Sequence, residues 1–226
     1  CLIKDGVLFG SQNKFYFYSY QDSSLRLLQS LNQESNFNIT QLSLWNDHTL
    51  LCCSRWQGLL LLDLNTGKYS LPPFDCGKEI MNMLIDSQNR IWIAPYNGGV
   101  SCFTHDGTRL ASYTTQNSEL NNDVVLSLAE REGKIWIGTD GGGINILEPK
   151  TGKFTLLEHI PGSDNYSLPA NSILCLYNDR NNNMWAGSIR NGLISIREVS
   201  MKTYTNVLPG NDNGLSNNTV RSEERR

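Results

Sequence analysis

The stretch Trp136-Ile-Gly-Thr-Asp-Gly-Gly-Gly143 occurs in related form at three other places in the chain. The related copies are Leu51-Cys-Cys-Ser-Arg-Trp-Gln-Gly58, Trp92-Ile-Ala-Pro-Tyr-Asn-Gly-Gly99 and Trp185-Ala-Gly-Ser-Ile-Arg-Asn-Gly192. A weaker fifth copy begins at Leu8-Phe-Gly-Ser11. Strand-rich units that recur every 40–50 residues or so are typical of β-propeller blades. The repeat therefore predicts about five blades.

Four short strands are predicted around the best copy. They are Val124 to Ala129 (strand a), Lys134 to Gly138 (strand b), Ile144 to Leu147 (strand c) and Phe154 to Leu157 (strand d). Strands c and d are joined by Pro149-Lys-Thr-Gly152, where glycine supplies the positive φ of a tight hairpin. No segment keeps a helical apolar period over 11 or so residues. The predicted class is all-β.

A single four-stranded blade cannot bury both of its faces, so blades must stack around an axis. The column formed by Leu51, Trp92, Trp136 and Trp185 is therefore interpreted as packing between blades. The repeat also contains many glycines, which we interpret as turn residues: 138, 142, 143, 187 and 192.

The repeat also sets approximate unit boundaries. The predicted blades are 1–37, 38–78, 79–122, 123–170 and 171–217, with 218–226 starting a further blade. Five blades could close alone if Asn218-Thr-Val-Arg221 paired with the first blade. We favour a partial arc of a seven-bladed ring, cut from a longer polypeptide, because both ends break off inside a blade.

Composition excludes several classes of function. The net charge is −3, with 19 basic and 22 acidic residues, and no basic stripe suits nucleic acid. The longest apolar run, Leu59 to Leu62, is too short for a membrane helix. The six cysteines include no CxxC pair, so we expect no metal and no cofactor. Cys52, Cys102 and Cys175 fall in apolar strand patterns and are predicted to be buried thiols.

The chain resembles the two-component regulator propeller repeat family. That family's blade has a Leu-Ser/Pro-Asn-Asn lead-in, an apolar strand, and then Leu/Ile-Trp-Ile-Gly-Thr followed by Gly-Gly-Leu. Here Leu120-Asn-Asn-Asp-Val124 precedes Ile135-Trp-Ile-Gly-Thr139, and Leu168-Pro-Ala-Asn-Ser172 precedes Met184-Trp-Ala-Gly-Ser188. The third blade replaces Gly-Thr by Ala94-Pro95, and the first two blades follow only the period.

The resemblance implies a role in signalling. Members of this family form the periplasmic sensor region of bacterial membrane histidine kinases, often hybrid kinases fused to a response regulator. They carry two seven-bladed rings, act as homodimers, and many respond to fragments of plant or host polysaccharides. The kinase itself is absent from this sequence, so the segment is expected to be a sensor and not an enzyme.

Ligand-binding residues are expected where the b–c turns and the d–a connectors emerge, on one face of the propeller. Sequence variety is concentrated there, and loops on a rigid frame commonly carry binding groups. Aromatic rings could stack on sugars, while amide, carboxylate and guanidinium groups could bind hydroxyls or a uronate. The candidate residues are Arg55, Trp56, Tyr96, Asn97, Asp140, His159, Tyr166, Arg190 and Asn191.

Two other classes of function stay open. A propeller enzyme of the lactonase or lyase type could use carboxylates that converge from separate blades, which sequence spacing hides. A protein-interaction scaffold could use the same face. The three histidines, His48, His105 and His159, fall at unrelated blade positions, and no GxSxG or HExxH motif is present.

Overall fold

The computed structural model describes residues 1–3, 5–11, 14–30, 37–161, 167–197, 200–204 and 219–220. Within these ranges the regular structure consists of twenty β-strands. The chain divides into two compact units, Cys1–Pro95 with Ser101–Ala111, and Tyr96–Val100 with Ser112–Arg226. No helix in the described ranges is long and apolar enough to cross a bilayer.

The strands form five four-stranded sheets, each built from consecutive strands in the order a, b, c, d. Blade 1 contains β1 (Leu2–Ile3), β2 (Gly6–Ser11), β3 (Lys14–Ser19) and β4 (Leu25–Ser30). Blade 2 contains β5 (Ile39–Asn46), β6 (Thr49–Ser54), β7 (Gly58–Asp63) and β8 (Tyr69–Ser70). Blade 3 contains β9 (Ile80–Ile85), β10 (Ile91–Pro95), β11 (Val100–Phe103) and β12 (Arg109–Tyr113). Blade 4 contains β13 (Val125–Arg131), β14 (Lys134–Thr139), β15 (Ile144–Glu148) and β16 (Lys153–Leu157). Blade 5 contains β17 (Ile173–Asn178), β18 (Met184–Ser188), β19 (Leu193–Arg197) and β20 (Ser200–Tyr204).

The all-β class and the five four-stranded units are thus confirmed. In blade 4 the predicted strands lie within two residues of the observed ones. The unit boundaries, and the choice between a closed ring and an arc, stay predictions. Asn218 and Arg221 lie outside the described residues, and Val220 N donates to Ser188 O of blade 5 at 3.2 Å.

The tryptophan column occupies equivalent positions in three sheets. Trp92 pairs with Leu84 and Cys102. Trp136 pairs with Ala129 and Ile146. Trp185 pairs with Tyr177 and Ser195. In every case the tryptophan lies in strand b, between strands a and c.

Two residues of the column, Trp136 and Leu51, pack between neighbouring blades as predicted, and for Trp92 and Trp185 this packing stays a prediction. In the second unit, Trp136 of blade 4 shares a buried cluster with Met184 and Ala186, which flank Trp185 in blade 5. In the first unit, Leu51 of blade 2 clusters with Ile91 and Ile93, which flank Trp92 in blade 3. Because alternate residues of a strand face opposite sides, one strand b serves two interfaces.

Two glycines predicted to be turn residues lie instead inside strand b. Gly138 and Gly187 have no left-handed backbone and belong to β14 and β18. A Cβ on Gly138 would lie 2.9 Å from Ile173 Cγ2, and one on Gly187 would lie 2.9 Å from Val220 Cγ1. Glycine is therefore required because strand a of blade 5 approaches Gly138 and the segment at Val220 approaches Gly187, and the interpretation as turn glycines is wrong for both.

Gly142 is also not a left-handed turn residue, whereas Gly143 and Gly192 have φ values of 71° and 80°. A Cβ on Gly142 would lie 2.3 Å from the Asn121 side-chain oxygen. Its small size makes room for the polar lead-in to blade 4. Gly142, Gly143 and Gly192 all lie in b–c turns, as predicted, but only Gly143 and Gly192 use the left-handed conformation.

Candidate functional site

The name rim is used here for the b–c turns of blades 2 to 5 and the d–a connectors into blades 3, 4 and 5, and its parts are described in each unit by itself. Its turns comprise residues 55–57, 96–99, 140–143 and 189–192. Backbone hydrogen bonds join the turns of blades 2, 3 and 4 to the connector into the next blade. Ile80 N donates to Arg55 O at 3.1 Å in the first unit. Gly143 N donates to Asn171 O at 2.7 Å in the second.

The connector into blade 4 repeats this arrangement. Gly99 N donates to Asp123 O at 3.0 Å, and the Asp123 carboxylate accepts from the Thr115 backbone N and Oγ1, both at 2.8 Å. One residue therefore ties the end of strand d to the preceding b–c turn. The predicted placement of b–c turns and d–a connectors on one side is confirmed within this unit.

In the first unit, Arg55 and Trp56 form a stacked pair on the blade 2 turn. The Arg55 Cζ lies 5.4 Å from the centre of the Trp56 ring, and 59% of Trp56 is exposed. An exposed indole with a guanidinium on it presents a flat apolar surface beside a positive charge. This pair has the chemistry expected for stacking on a sugar ring and binding a carboxylate.

Three further candidates project from turns of the second unit. Tyr96 is 54% exposed, and Asn97 and Arg190 are also exposed. Asn97 and Arg190 have left-handed backbones, with φ values of 50° and 71°. Such φ values are uncommon for residues other than glycine, and they mark tight turns that hold these side chains at the surface.

Asp140, His159 and Asn191 are brought together by the connector into blade 5. Asp140 accepts from Ser172 Oγ at 2.8 Å, and Asn191 Nδ2 donates to Pro169 O at 3.0 Å. His159 Nδ1 lies 2.7 Å from Leu168 O; because a carbonyl only accepts, this nitrogen carries the proton. These three side chains hold the connector in place, a role that the sequence did not indicate.

Tyr166 lies outside the described residues. The candidates thus divide into an exposed group, consisting of Arg55, Trp56, Tyr96, Asn97 and Arg190, and a bonded group, consisting of Asp140, His159 and Asn191. Asp140 and His159 are exposed as well, but their side chains bond to the connector into blade 5.

No cluster of three or more potential metal ligands is found in the described parts of the chain.

Burial raises the pKa of the Cys53 thiol to about 11 and that of Cys102 to about 12. Burial also raises the pKa of Cys52 far above its usual value. Thiols held in this protonated form are poor nucleophiles. Cys52 and Cys102 are buried as predicted, whereas Cys175 is half-buried.

One shallow cavity of about 160 Å³ lies away from the rim. It is lined by the c–d turn of blade 2, residues 63–67, together with Leu28 and Leu62.

Two carboxylates beside the a–b turns, Asp86 and Asp179, were not predicted from the sequence. Each lies six residues before a tryptophan and accepts its indole N–H, at 2.8 and 2.9 Å. An Asp-x₅-Trp spacing in two repeats was the signal that could have found them.

Two segments, residues 119–141 and 167–190, match the family described as two component regulator propeller. They cover the lead-in, strand a and strand b of blades 4 and 5, which carry the predicted family motifs. The resemblance to this family is confirmed there. No curated protein matches the chain.

Several solved structures share the fold. One is the extracellular domain of a B. thetaiotaomicron protein described as a hybrid two component system, with 22% identity and a TM-score of 0.69. The match covers 97% of this chain and 29% of that one. A second extracellular domain with the same description and organism has 18% identity and a TM-score of 0.66, with 95% and 30% covered.

PorZ of Porphyromonas gingivalis, a surface component of the type-IX secretion system, is 15% identical with a TM-score of 0.60. The match covers 88% of this chain and 33% of PorZ. A WD40 β-propeller domain, that of Doa1, matches with a TM-score of 0.55. At these identities the similarity establishes the β-propeller fold. The chain spans only 29% to 33% of the length of the bacterial structures.

Proposed function

From the two blades that match the two-component regulator propeller family, we propose that this chain is a ligand-sensing segment of a bacterial signalling receptor. It would act in the periplasm, as the sensor part of an inner-membrane hybrid histidine kinase that works as a homodimer. Recognition, and not catalysis, is the role assigned to this segment. The extracellular two component domains that share its fold support this assignment.

The proposed ligand is an oligosaccharide released by polysaccharide breakdown, bound on the rim. The exposure of Trp56 and Tyr96 on b–c turns carries this proposal. Aromatic rings on the turns of a rigid frame offer flat apolar faces on which sugar C–H groups can stack. Arg55 and Arg190 add guanidinium groups that suit the carboxylate of a uronate.

Isothermal titration calorimetry with a panel of neutral and uronate-containing oligosaccharides tests the proposal. Trp56→Ala and Tyr96→Ala should each weaken binding about tenfold, because each removes a stacking surface. Tyr69→Ala is the matched control: Tyr69 is 52% exposed but lies in β8, away from the b–c turns. Equal binding by all three variants would place the ligand elsewhere.

The competing functions predict different results. A propeller enzyme of the lactonase or lyase type would turn over uronate-containing glycans, and metal analysis would find a bound cation. A protein-interaction scaffold would give no heat with any oligosaccharide while retaining a protein partner. Either result would replace the sensor proposal.

A further inference from the structure

The b–c turns of the second unit contain two Asn-Gly pairs. Asn97-Gly98 lies in the turn of blade 3, and Asn191-Gly192 lies in the turn of blade 5. An asparagine that precedes glycine readily loses its side-chain amide, because glycine places no side chain beside the backbone nitrogen that attacks it. A third pair, Asn213-Gly214, lies outside the described residues. The structure gives the two turn pairs different surroundings.

Neither reacting group of the blade 3 pair is held in place. Asn97 is exposed, and its side-chain amide has no hydrogen-bond partner within the described ranges. In the same part of the chain, the backbone N of Gly98 donates to no acceptor. Asn97 has a φ of 50°, and a residue with a side chain loses little on leaving this left-handed conformation. The Asn97 amide carbon and the Gly98 nitrogen can therefore come together through movement within the turn.

The blade 5 pair is held on both sides. Asn191 is half-buried, and its Nδ2 donates to Pro169 O at 3.0 Å in the connector into blade 5. Gly192 is buried, and its O accepts from Ser188 N at 3.0 Å and from Ser188 Oγ at 2.9 Å. The nitrogen that would leave Asn191 as ammonia is therefore the atom that bonds the connector, and the reaction requires that bond to break first.

We propose that Asn97 is a site of spontaneous deamidation, and that the bond to Pro169 protects Asn191 from the same reaction. The Gly98 backbone nitrogen gives up its proton and bonds to Asn97 Cγ. The bond between Cγ and Nδ2 breaks, the nitrogen leaves as ammonia, and a cyclic succinimide remains. Water then adds to either ring carbonyl and opens the ring to aspartate or isoaspartate. The net change consumes water and releases ammonia, with no oxidant or reductant.

Deamidation changes the chemistry of the rim. The neutral Asn97 amide both donates and accepts hydrogen bonds, whereas the product carboxylate is charged and only accepts them. The new charge lies next to Tyr96 in the chain, on the same b–c turn. It opposes a uronate carboxylate bound there; this consequence rests on the proposed function, whereas the reaction itself does not.

Peptide mapping of the unchanged protein tests the proposal. Trypsin releases the two pairs in separate peptides, Ile91–Arg109 and Asn191–Arg197, and each peptide contains a single side-chain amide. The folded protein is incubated in mildly alkaline buffer, and a sample taken beforehand corrects for deamidation during digestion. The acid form of Ile91–Arg109 should accumulate about tenfold faster than that of Asn191–Arg197, because one protecting hydrogen bond contributes up to about that factor. Equal rates, or a faster rate at Asn191, would overturn the proposal.

The same protein unfolded in guanidinium chloride is the control for the fold. Both pairs are then freed from tertiary contacts, so the two rates should approach each other. A difference that persists in the unfolded chain would come from the flanking residues and not from the fold, which contradicts the proposal.

Gly98→Ala tests the attacking atom. Gly98 is not among the left-handed glycines, so alanine suits the backbone there. The added methyl group crowds the nitrogen and should lower the Asn97 rate to that of Asn191 or below. The Asn191 rate should stay unchanged, and it reports in the same sample that the chain is folded. An unchanged Asn97 rate would rule out attack by the Gly98 nitrogen.

Discussion

Asp86 and Asp22 are both aspartates that pair with an arginine four positions later, but they differ in burial. The Asp86 side chain is fully buried and accepts from Arg90, from the Trp92 indole and from two backbone N–H groups. The Asp22 side chain is 46% exposed and pairs with Arg26 at the surface. The same sequence spacing therefore has different consequences for stability.

Asp86→Ala should lower the free energy of unfolding by about 3–5 kcal/mol, because it leaves a buried guanidinium and an indole N–H without their acceptor. Asp22→Ala should change it little, since solvent screens an exposed ion pair. Urea denaturation of both variants measures the difference. Equal losses would mean that burial of the Asp86 carboxylate does not matter.

Gly138 illustrates a residue whose small size is required. Gly138→Ala should destabilise the protein by about 1–3 kcal/mol, because the added Cβ would lie 2.4 Å from Ser127 Oγ and 2.9 Å from Ile173 Cγ2. Gly133→Asn is the control, since that turn glycine has a φ of 75° and no atom within 4 Å of the added Cβ. Asparagine tolerates this conformation, so thermal unfolding should hardly change.

At the scale of elements, the lead-in to blade 4 is fixed by a reciprocal amide pair. Asn145 Nδ2 donates to Asn121 Oδ1 at 2.9 Å, and Asn121 N donates to Asn145 Oδ1 at 3.2 Å. Asn121 Nδ2 also donates to Gly142 O at 2.7 Å. The b–c turn, strand c and connector of this blade are thereby held as one assembly.

Asn121→Ala should cost about 1–3 kcal/mol, because Asn145 is 1% exposed and its buried Nδ2 would lose its acceptor. The double variant Asn121→Ala/Asn145→Val should recover part of this loss, since the Nδ2 group that lacks an acceptor is then removed. Chemical denaturation of the single and double variants provides the test. A double variant less stable than the single one would contradict this account.

For the whole molecule, stability should depend on pH through His105. Its ring lies 4.2 Å from the Trp45 ring, centre to centre, and its Nε2 is buried without a partner. Burial lowers the pKa of His105 from the usual 6.5. The unfolded chain therefore binds a proton at a higher pH than the folded one does.

The free energy of unfolding should accordingly be largest above pH 6.5 and fall as the pH drops through 6.5 toward the lowered pKa of the folded state. His105→Phe retains an aromatic ring on Trp45 and should flatten this dependence between pH 7 and 5. Melting temperatures across that range measure the effect. The aspartates with lowered pKa values, such as Asp179 at about 2, lose their contribution only at lower pH. An unchanged slope in His105→Phe would exclude this histidine as the cause.

Much of the rim could be predicted because it follows from the repeat. Trp56 and Tyr96 fall in b–c turns by position alone, and the structure exposes both. The sequence could not separate them from Asp140 and Asn191, which bond to the connector into blade 5. Those partners lie 32 and 22 residues away, respectively, and only the packed blades bring them together.

The sequence by itself determined the class and the units, because a strand that must bury both faces needs the same apolar pattern in every repeat. The spacing of Trp92, Trp136 and Trp185 therefore predicted the repeating four-stranded blades. Only the tertiary structure decided which polar groups are satisfied. Asp86 and Arg131 hold equivalent positions at the ends of their strands a. Asp86 accepts from the Trp92 indole, whereas the Arg131 guanidinium lies on the Trp136 ring, and only the folded chain brings these groups together.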